Sequence, residues 1–424
     1  MTATTSRMRG GLPSMVAMAA VALVFLAGCT AEPPTPSSGP SAVAGPVPNT
    51  SSSAPATATA TPPPGTSAPS PAASAPLAGG LTGPQQLVSD QAAVVTLASN
   101  LDAPWSIVRL PGGSTLVDER DTGTVKEILA NGSAGAIGTV PGVAAAGEGG
   151  LLGLAPYVDG AQTFLYAYET TASDNRVIRM PLLGGPGAFS LGAASDVLTR
   201  IPKSSNHNGG RIAFGPDGML YITAGDAGQS ANAQNQTSLS GKILRVTPTG
   251  AVPADNPFAG SPVYSLGHRN PQGITWGADG TMYAAEFGQD TWDELNIITP
   301  GSNYGWPTVE GISRDSGTRF VNPIYQWATD DASPSGLVML GDTLFLAGLG
   351  GERLWSITVS GPVTGTSQHV SVTSLFDGTF GRLRDVAAGP DRTLLMLTNN
   401  TDGRGSPSTG DDRLLSVPLQ STAG

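Results

Sequence analysis

The amino-acid sequence predicts an all-β fold: a six-bladed β-propeller that follows a signal peptide and a disordered linker. Three observations lead there. A strand–turn–strand pattern recurs six times across residues 85–424, at a spacing of roughly 50–60 residues, which suits propeller blades. No amphipathic helical pattern of useful length separates the units, which disfavours an alternating strand–helix architecture. The 424 residues include 57 Gly and 36 Pro, with only 12% charged, a composition poor in helix formers and rich in turns.

The first 28 residues read as an address. Arg7 and Arg9 precede the apolar stretch Met15–Ala27, which ends Leu26-Ala27-Gly28-Cys29. Charge, length and small-residue exit define a secretory signal, too short to span a bilayer comfortably. Leu-Ala-Gly-Cys resembles the bacterial lipobox. That resemblance implies cleavage before Cys29, acylation of its thiol, and a protein exported and lipid-anchored at the outer face of the cell membrane. An ordinary signal with an incidental Cys is the competing reading. The chain's single Cys sits where lipidation needs it, and two or more acyl chains give stable anchoring.

Residues 29–84 are almost wholly Pro, Ser, Thr, Ala and Gly after Cys29, with Glu32 as the single charge. Such a segment cannot bury a core and is expected to be a disordered, semi-extended tether.

From residue 85 the blades follow. Strand-like runs such as Thr115-Leu116-Val117, Met219-Leu220-Tyr221, Thr343-Leu344-Phe345 and Thr393-Leu394-Leu395 recur, with Pro216-Asp217-Gly218 and Ala278-Asp279-Gly280 as hairpin turns. Segments 241–246, 294–298, 353–357 and 413–417 are expected to close blades. Residues 93–98 are expected to complete the last blade and shut the ring.

Composition excludes several functions. Lys plus Arg total 21 against 32 acids, a net charge of −11, which argues against a nucleic-acid binder. One Cys excludes a disulfide framework and Cys-rich metal centres. A mean hydropathy near zero excludes a polytopic membrane protein, leaving the lipid anchor as the membrane contact.

Four loops carry chemistry-bearing residues. In Asn206-His207-Asn208-Gly209-Gly210, His207 is one of three His and sits in a loop context, where an imidazole suits a general base. Asp226 follows a strand over 220–224 and is placed to orient it; a turn-capping His207 is the alternative. In Gly267-His268-Arg269-Asn270-Pro271-Gln272-Gly273, Arg269 fits a bidentate contact to a carboxylate, and His268 is expected to be structural. Residues 286–296 hold three acids within five residues in a Gly-containing loop, and carboxylates with loop carbonyls suit a hard cation such as Ca²⁺; a solvated acidic turn is the alternative. In Gly381-Arg382-Leu383-Arg384-Asp385, alternation puts Arg382 and Arg384 on one face, where they ask for an anionic partner or pair with Asp385 and Asp391.

Taken together, these loops resemble the soluble glucose/sorbosone dehydrogenase family, which includes aldose sugar dehydrogenases that use pyrroloquinoline quinone (PQQ) and Ca²⁺. The resemblance spans nearly all of residues 95–420. It also draws on Pro104-Trp105, Glu119-Arg120, Gly147-Glu148-Gly149-Gly150, Asp293-Glu294-Leu295-Asn296 and Asn303-Tyr304-Gly305-Trp306-Pro307. It implies oxidation of an aldose at C1, with His207 as base and Asp226 as its acidic partner. Glu148, Arg269, Asn270, Arg382 and Arg384 would contact the cofactor. Gly288, Gln289, Asp293 and Tyr304 would form the Ca²⁺ loop. The implied partners are a small-molecule sugar and an electron acceptor. Two positions depart from the family: Gln289 stands where Pro is usual, and Gly350 where a quinone-contacting Lys is common, with Arg353 not evidently placed to replace it. A non-catalytic propeller lipoprotein that binds a glycan or an envelope protein is the alternative.

Overall fold

The computed structural model describes residues 81–87, 93–315, 319–361 and 369–421. The 1–28 signal peptide, acylation at Cys29 and nearly all of the 29–84 tether lie outside the described residues.

The described chain opens with β1 (Gln85–Leu87) and β2 (Val95–Ala98). The first blade is β3 (Pro104–Arg109), β4 (Thr115–Glu119), β5 (Thr124–Ile128) and β6 (Ala134–Thr139). The second is β7 (Leu151–Asp159), β8 (Gln162–Thr170), β9 (Asn175–Leu183) and β10 (Ser190–Leu191), with β11 (Ser195–Ile201) also pairing β9. The third is β12 (Ile212–Phe214), β13 (Leu220–Ala224), β14 (Lys242–Val246) and β15 (Val263–Leu266). The fourth is β16 (Asn270–Trp276), β17 (Met282–Phe287), β18 (Trp292–Ile298) and β19 (Tyr325–Ala328). The fifth is β20 (Pro334–Leu340), β21 (Thr343–Gly348), β22 (Arg353–Ser360) and β23 (His369–Leu375). The sixth is β24 (Leu383–Ala388), β25 (Thr393–Thr398) and β26 (Leu414–Ser421), completed by β1 and β2. All pairings are antiparallel, and the first strands of successive blades pack on one another around the ring, β24 against β3.

Six hydrophobic layers, one between each pair of neighbouring blades, replace a single core. The strand period of two explains this. On β25, Leu394 and Met396 face the fifth blade, whereas Leu395 and Leu397 face the first. Both faces of a middle strand are therefore buried, which is why these runs read as continuously apolar.

The segments expected to close the blades are the third strands, not the fourth. The outer strands escaped the sequence pattern because one face meets water: β23 is mostly exposed or half-exposed along its length. The expected ring closure is present. β2 pairs β26 through Val95 and Ser416, and β1 adds a second segment through Gln85 and Ser421. The Gln85 amide also donates to the Thr343 hydroxyl at 2.9 Å, tying the seam to the fifth blade.

Deleting residues 81–98 removes both closing strands and the buried Leu87 and Ala98. The melting temperature should fall by at least about 5 °C in calorimetry; an unchanged value would contradict this closure.

Candidate active site

Loops at one end of the propeller axis enclose a cavity of about 330 Å³. Every blade contributes to the region: Trp105, Glu148, His207, Arg269, Ser333 and Arg382 come from six different stretches of chain.

The His207 loop is held by long-range bonds. Its amide donates to Glu148 Oε2 at 2.9 Å, and the Gly209 amide donates to Asn270 Oδ1 at 3.0 Å. His207 adopts a left-handed backbone with φ of 55°. Its carbonyl runs so close to Gly225 that a Cβ there would lie 2.1 Å from it, so Gly225 is required for the approach. That approach brings His207 Nδ1 to 2.8 Å from Asp226 Oδ1. A carboxylate partner fixes Nδ1 as the donor and leaves the Nε2 lone pair for the cavity. Burial alone would raise the Asp226 carboxyl, but bonds from His207, Trp306 and the Gly228 amide hold it below the usual carboxylate range.

Cations dominate the wall. Arg382 pairs with Asp402 at 3.0 Å, and Arg384 lies 3.6 Å from the same carboxylate. Arg384 is also fixed by Asn399 Oδ1 at 2.8 Å and Gln272 Oε1 at 3.0 Å. Arg404 reaches Glu148 at 2.8 Å. Arg269 differs: among the described residues it makes no ion pair, its Nε has no partner, and burial lowers its pKa. The Nε of Arg382 is likewise buried and unpartnered. Buried donors without acceptors are costly, and two of them here belong to guanidinium groups of this wall.

The 288–293 loop forms another part of the wall. Burial pushes the Asp293 carboxyl up to about 7, although it accepts the Gly288 amide at 2.8 Å and the Ser333 amide at 2.6 Å. Behind the loop, one oxygen of Glu310 accepts the amides of Gln289, Asp290, Thr291 and Trp292 at 2.6, 3.1, 3.1 and 3.2 Å. Burial would raise this carboxyl; the four donors hold it below the usual range. In a trans peptide the carbonyl opposes the next amide N–H. The Gly288 and Gln289 carbonyls therefore turn away from Glu310. The Gln289 N–H is used here, which a Pro could not supply.

His207, Glu148, Arg269, Asn270, Gly288, Gln289, Asp293, Arg382 and Arg384 all line this one cavity, with Asp226 directly behind His207. Tyr304 does not. Its hydroxyl donates to the Ile297 carbonyl at 2.7 Å and accepts the Thr299 amide, and its ring stacks on His268, so its side chain leaves the expected Ca²⁺ set. His268 is structural as expected, buried between Ser265 and Glu286. Asp385 pairs with Arg211 at 3.0 Å and not with Arg382 or Arg384. A Cβ at Gly350 would meet Ser333 Oγ at 2.4 Å, so a longer side chain there displaces Ser333. Arg353 binds Asp377 and the Gly351 carbonyl, outside the cavity wall. Sequence reading missed Arg404, Asp402 and Glu310, which lie in loops without a motif. It quoted Arg120 and Trp306 only as parts of motifs.

The fold and site define a six-bladed propeller with a cation-lined cavity beside a histidine–carboxylate pair. The chain belongs to the Glucose / Sorbosone dehydrogenase family, whose sequence model matches residues 101–407. It is similar to the PQQ-bound form of an aldose sugar dehydrogenase from Streptomyces coelicolor. The two are 46% identical, with a TM-score of 0.73, covering 82% of this chain and 100% of that one. It is 30% identical to aldose sugar dehydrogenase YliI of Escherichia coli (strain K12) over 234 residues, 49% of this chain and 62% of that protein. It is 38% identical to quinoprotein glucose dehydrogenase B of Acinetobacter calcoaceticus over 149 residues, 30% of this chain and 31% of that protein. The matches to the last two thus span under two thirds of either relative.

Replacing Glu310 with Ala should free the 289–292 amides, which then exchange with deuterium at least about tenfold faster while the β17 amides and the β18 amides beyond Trp292 stay protected. Unchanged exchange at 289–292 would show that the carboxylate does not hold this loop.

Proposed function

We propose that this chain is a lipid-anchored, PQQ- and Ca²⁺-dependent dehydrogenase that oxidises aldoses at C1. The observation that carries the reading is the His207–Asp226 pair set beside one cavity whose wall holds Arg269, which makes no ion pair among the described residues, and Arg382, whose Nε is buried without a partner among them. Family membership and the likeness to a PQQ-bound aldose sugar dehydrogenase support it.

The residues fit both groups. PQQ is a tricarboxylate, and Arg269, Arg382 and Arg384 would hold it, with Asn270 bracing the wall. The guanidinium groups of Arg120 and Arg404, which also line the cavity, add positive charge that a Lys at position 350 would otherwise supply. No cluster of three metal-binding side chains occurs among the described residues. A hard cation would therefore rest on Asp293 together with the Gly288 and Gln289 carbonyls, an oxygen set that Ca²⁺ accepts. When bound, PQQ supplies a two-electron acceptor and Ca²⁺ a Lewis acid.

The chain's own part is positional and protolytic. His207 Nε2 takes the C1 hydroxyl proton as the C1–H bond breaks. Asp226 holds Nδ1 and stabilises the imidazolium that forms. Glu148 fixes the His207 backbone, and Arg404 fixes Glu148. A non-catalytic propeller gives no reason for a buried carboxylate to orient this imidazole toward an anion-binding cavity.

The purified protein mixed with PQQ and Ca²⁺ should oxidise aldoses with an artificial acceptor. His207→Gln should lower kcat about a hundredfold or more. Arg269→Gln should weaken PQQ binding by tenfold to a hundredfold, read from cofactor fluorescence. No activity and no cofactor retained on gel filtration would reject the enzyme; full activity in His207→Gln would reject the base.

Export and anchoring rest on the Leu26-Ala27-Gly28-Cys29 sequence. The mature protein should enter the detergent phase, and mass spectrometry should find an acylated Cys29 at its N-terminus. Cys29→Ala should release it to the aqueous phase. A wild-type protein found unacylated would reject the anchor.

A further inference from the structure

We infer that Trp306 is a positioning residue for the base: its indole N–H clamps the Asp226 carboxylate and thereby sets the orientation and basicity of His207. The inference deepens the proposed function and rests on His207 as the proton acceptor.

Asp226 has two oxygens with different duties. Oδ1 receives His207 Nδ1 at 2.8 Å and the Gly228 amide at 2.8 Å. With those bonds alone the carboxylate could still turn about Cβ–Cγ, and its second oxygen would be buried without a donor. Trp306 Nε1 supplies that donor, reaching Oδ2 at 2.8 Å across 80 residues of sequence.

The clamp is itself held. The Trp306 amide donates to the Gly267 carbonyl at 3.0 Å, and its carbonyl accepts Gln234 Nε2 at 2.7 Å. Gln234 in turn exchanges side-chain bonds with Asn303 at 3.0 and 2.7 Å. The bond is selective as well. Trp327 and Trp355 bury indole N–H groups with no partner, so this fold does not satisfy every indole, yet the one beside Asp226 is satisfied. The Trp306 ring also lies 5.6 Å from the Arg269 guanidinium, so one side chain touches both the base assembly and the anion-binding wall.

The charged groups around His207 set the direction of the effect. Asp226 faces Nδ1; Glu148 accepts the His207 backbone N–H and carries Arg404; Arg269 acts on Asp226 from the β15–β16 loop. Trp306 is the uncharged donor in this group. Removing its N–H leaves Asp226 less satisfied and more basic, which favours the imidazolium.

Trp306→Phe keeps the ring face toward Arg269 and removes the N–H. The chain has three His, so histidine titration by NMR is resolvable, with His207→Gln for assignment. In Trp306→Phe the His207 midpoint should move up by about half a unit to one unit, with His268 and His369 unmoved. In turnover, kcat should fall by tenfold to a hundredfold, KM for the aldose should change little, and the acid limb of the kcat profile should shift to higher pH with the NMR midpoint. Should Trp306→Phe not fold, the wild-type indole N–H resonance of Trp306 serves instead: it should lie downfield and move in Asp226→Asn. An unmoved His207 midpoint, or an indole resonance indifferent to Asp226→Asn, overturns the clamp. A shifted midpoint in a protein that oxidises no aldose upholds the clamp and rejects the proposed function.

Discussion

One buried carboxylate joins the parts of the cavity. Asp226 takes a bond from His207, another from Trp306 and a third from the Gly228 amide, while its own amide donates to the Arg269 carbonyl at 2.7 Å. Loops as far apart in sequence as those of His207 and Trp306 meet on one side chain. Its charge is kept because these donors outweigh the penalty of burial. Removing any donor leaves an acceptor in a place water reaches poorly, so the loops hold each other's positions.

The ring makes that meeting feasible. Each blade buries both faces of its middle strands, so the scaffold is rigid and the loops at its axial end keep fixed separations. Charge is then distributed unevenly over those loops. Asp402 neutralises part of the Arg382–Arg384 pair and Glu148 occupies Arg404, but Arg269 lines the cavity with no ion pair among the described residues. In the 288–293 loop, Glu310 turns two carbonyls away from itself and Asp293 is held in low-dielectric surroundings. Positive groups and oxygen donors in one cavity are what the proposed anionic cofactor and hard cation would need.

Much of this was legible in the sequence because the relevant residues sit in short motifs. The blade count followed from repeated apolar runs, and the strand before Asp226 was placed over 220–224, as β13 shows. The outer strands were not legible, since a half-solvated strand such as β23 lacks a continuous apolar run. Tyr304 was misplaced because the motif holding it serves two ends: Trp306 turns to Asp226, whereas Tyr304 packs on His268. Glu310 and Arg404 were invisible, since their partners are backbone amides and a carboxylate distant in sequence, and no local pattern encodes such pairs.

The most direct test is a single turnover with an aldose deuterated at C1, following reduction of PQQ bound to the anaerobic protein with Ca²⁺. The account predicts a severalfold slower reduction with deuterium, at a rate that rises with pH as one group loses its proton, and loss of that pH dependence in His207→Gln. Equal rates for the two isotopologues, or reduction that ignores both pH and His207, would contradict it.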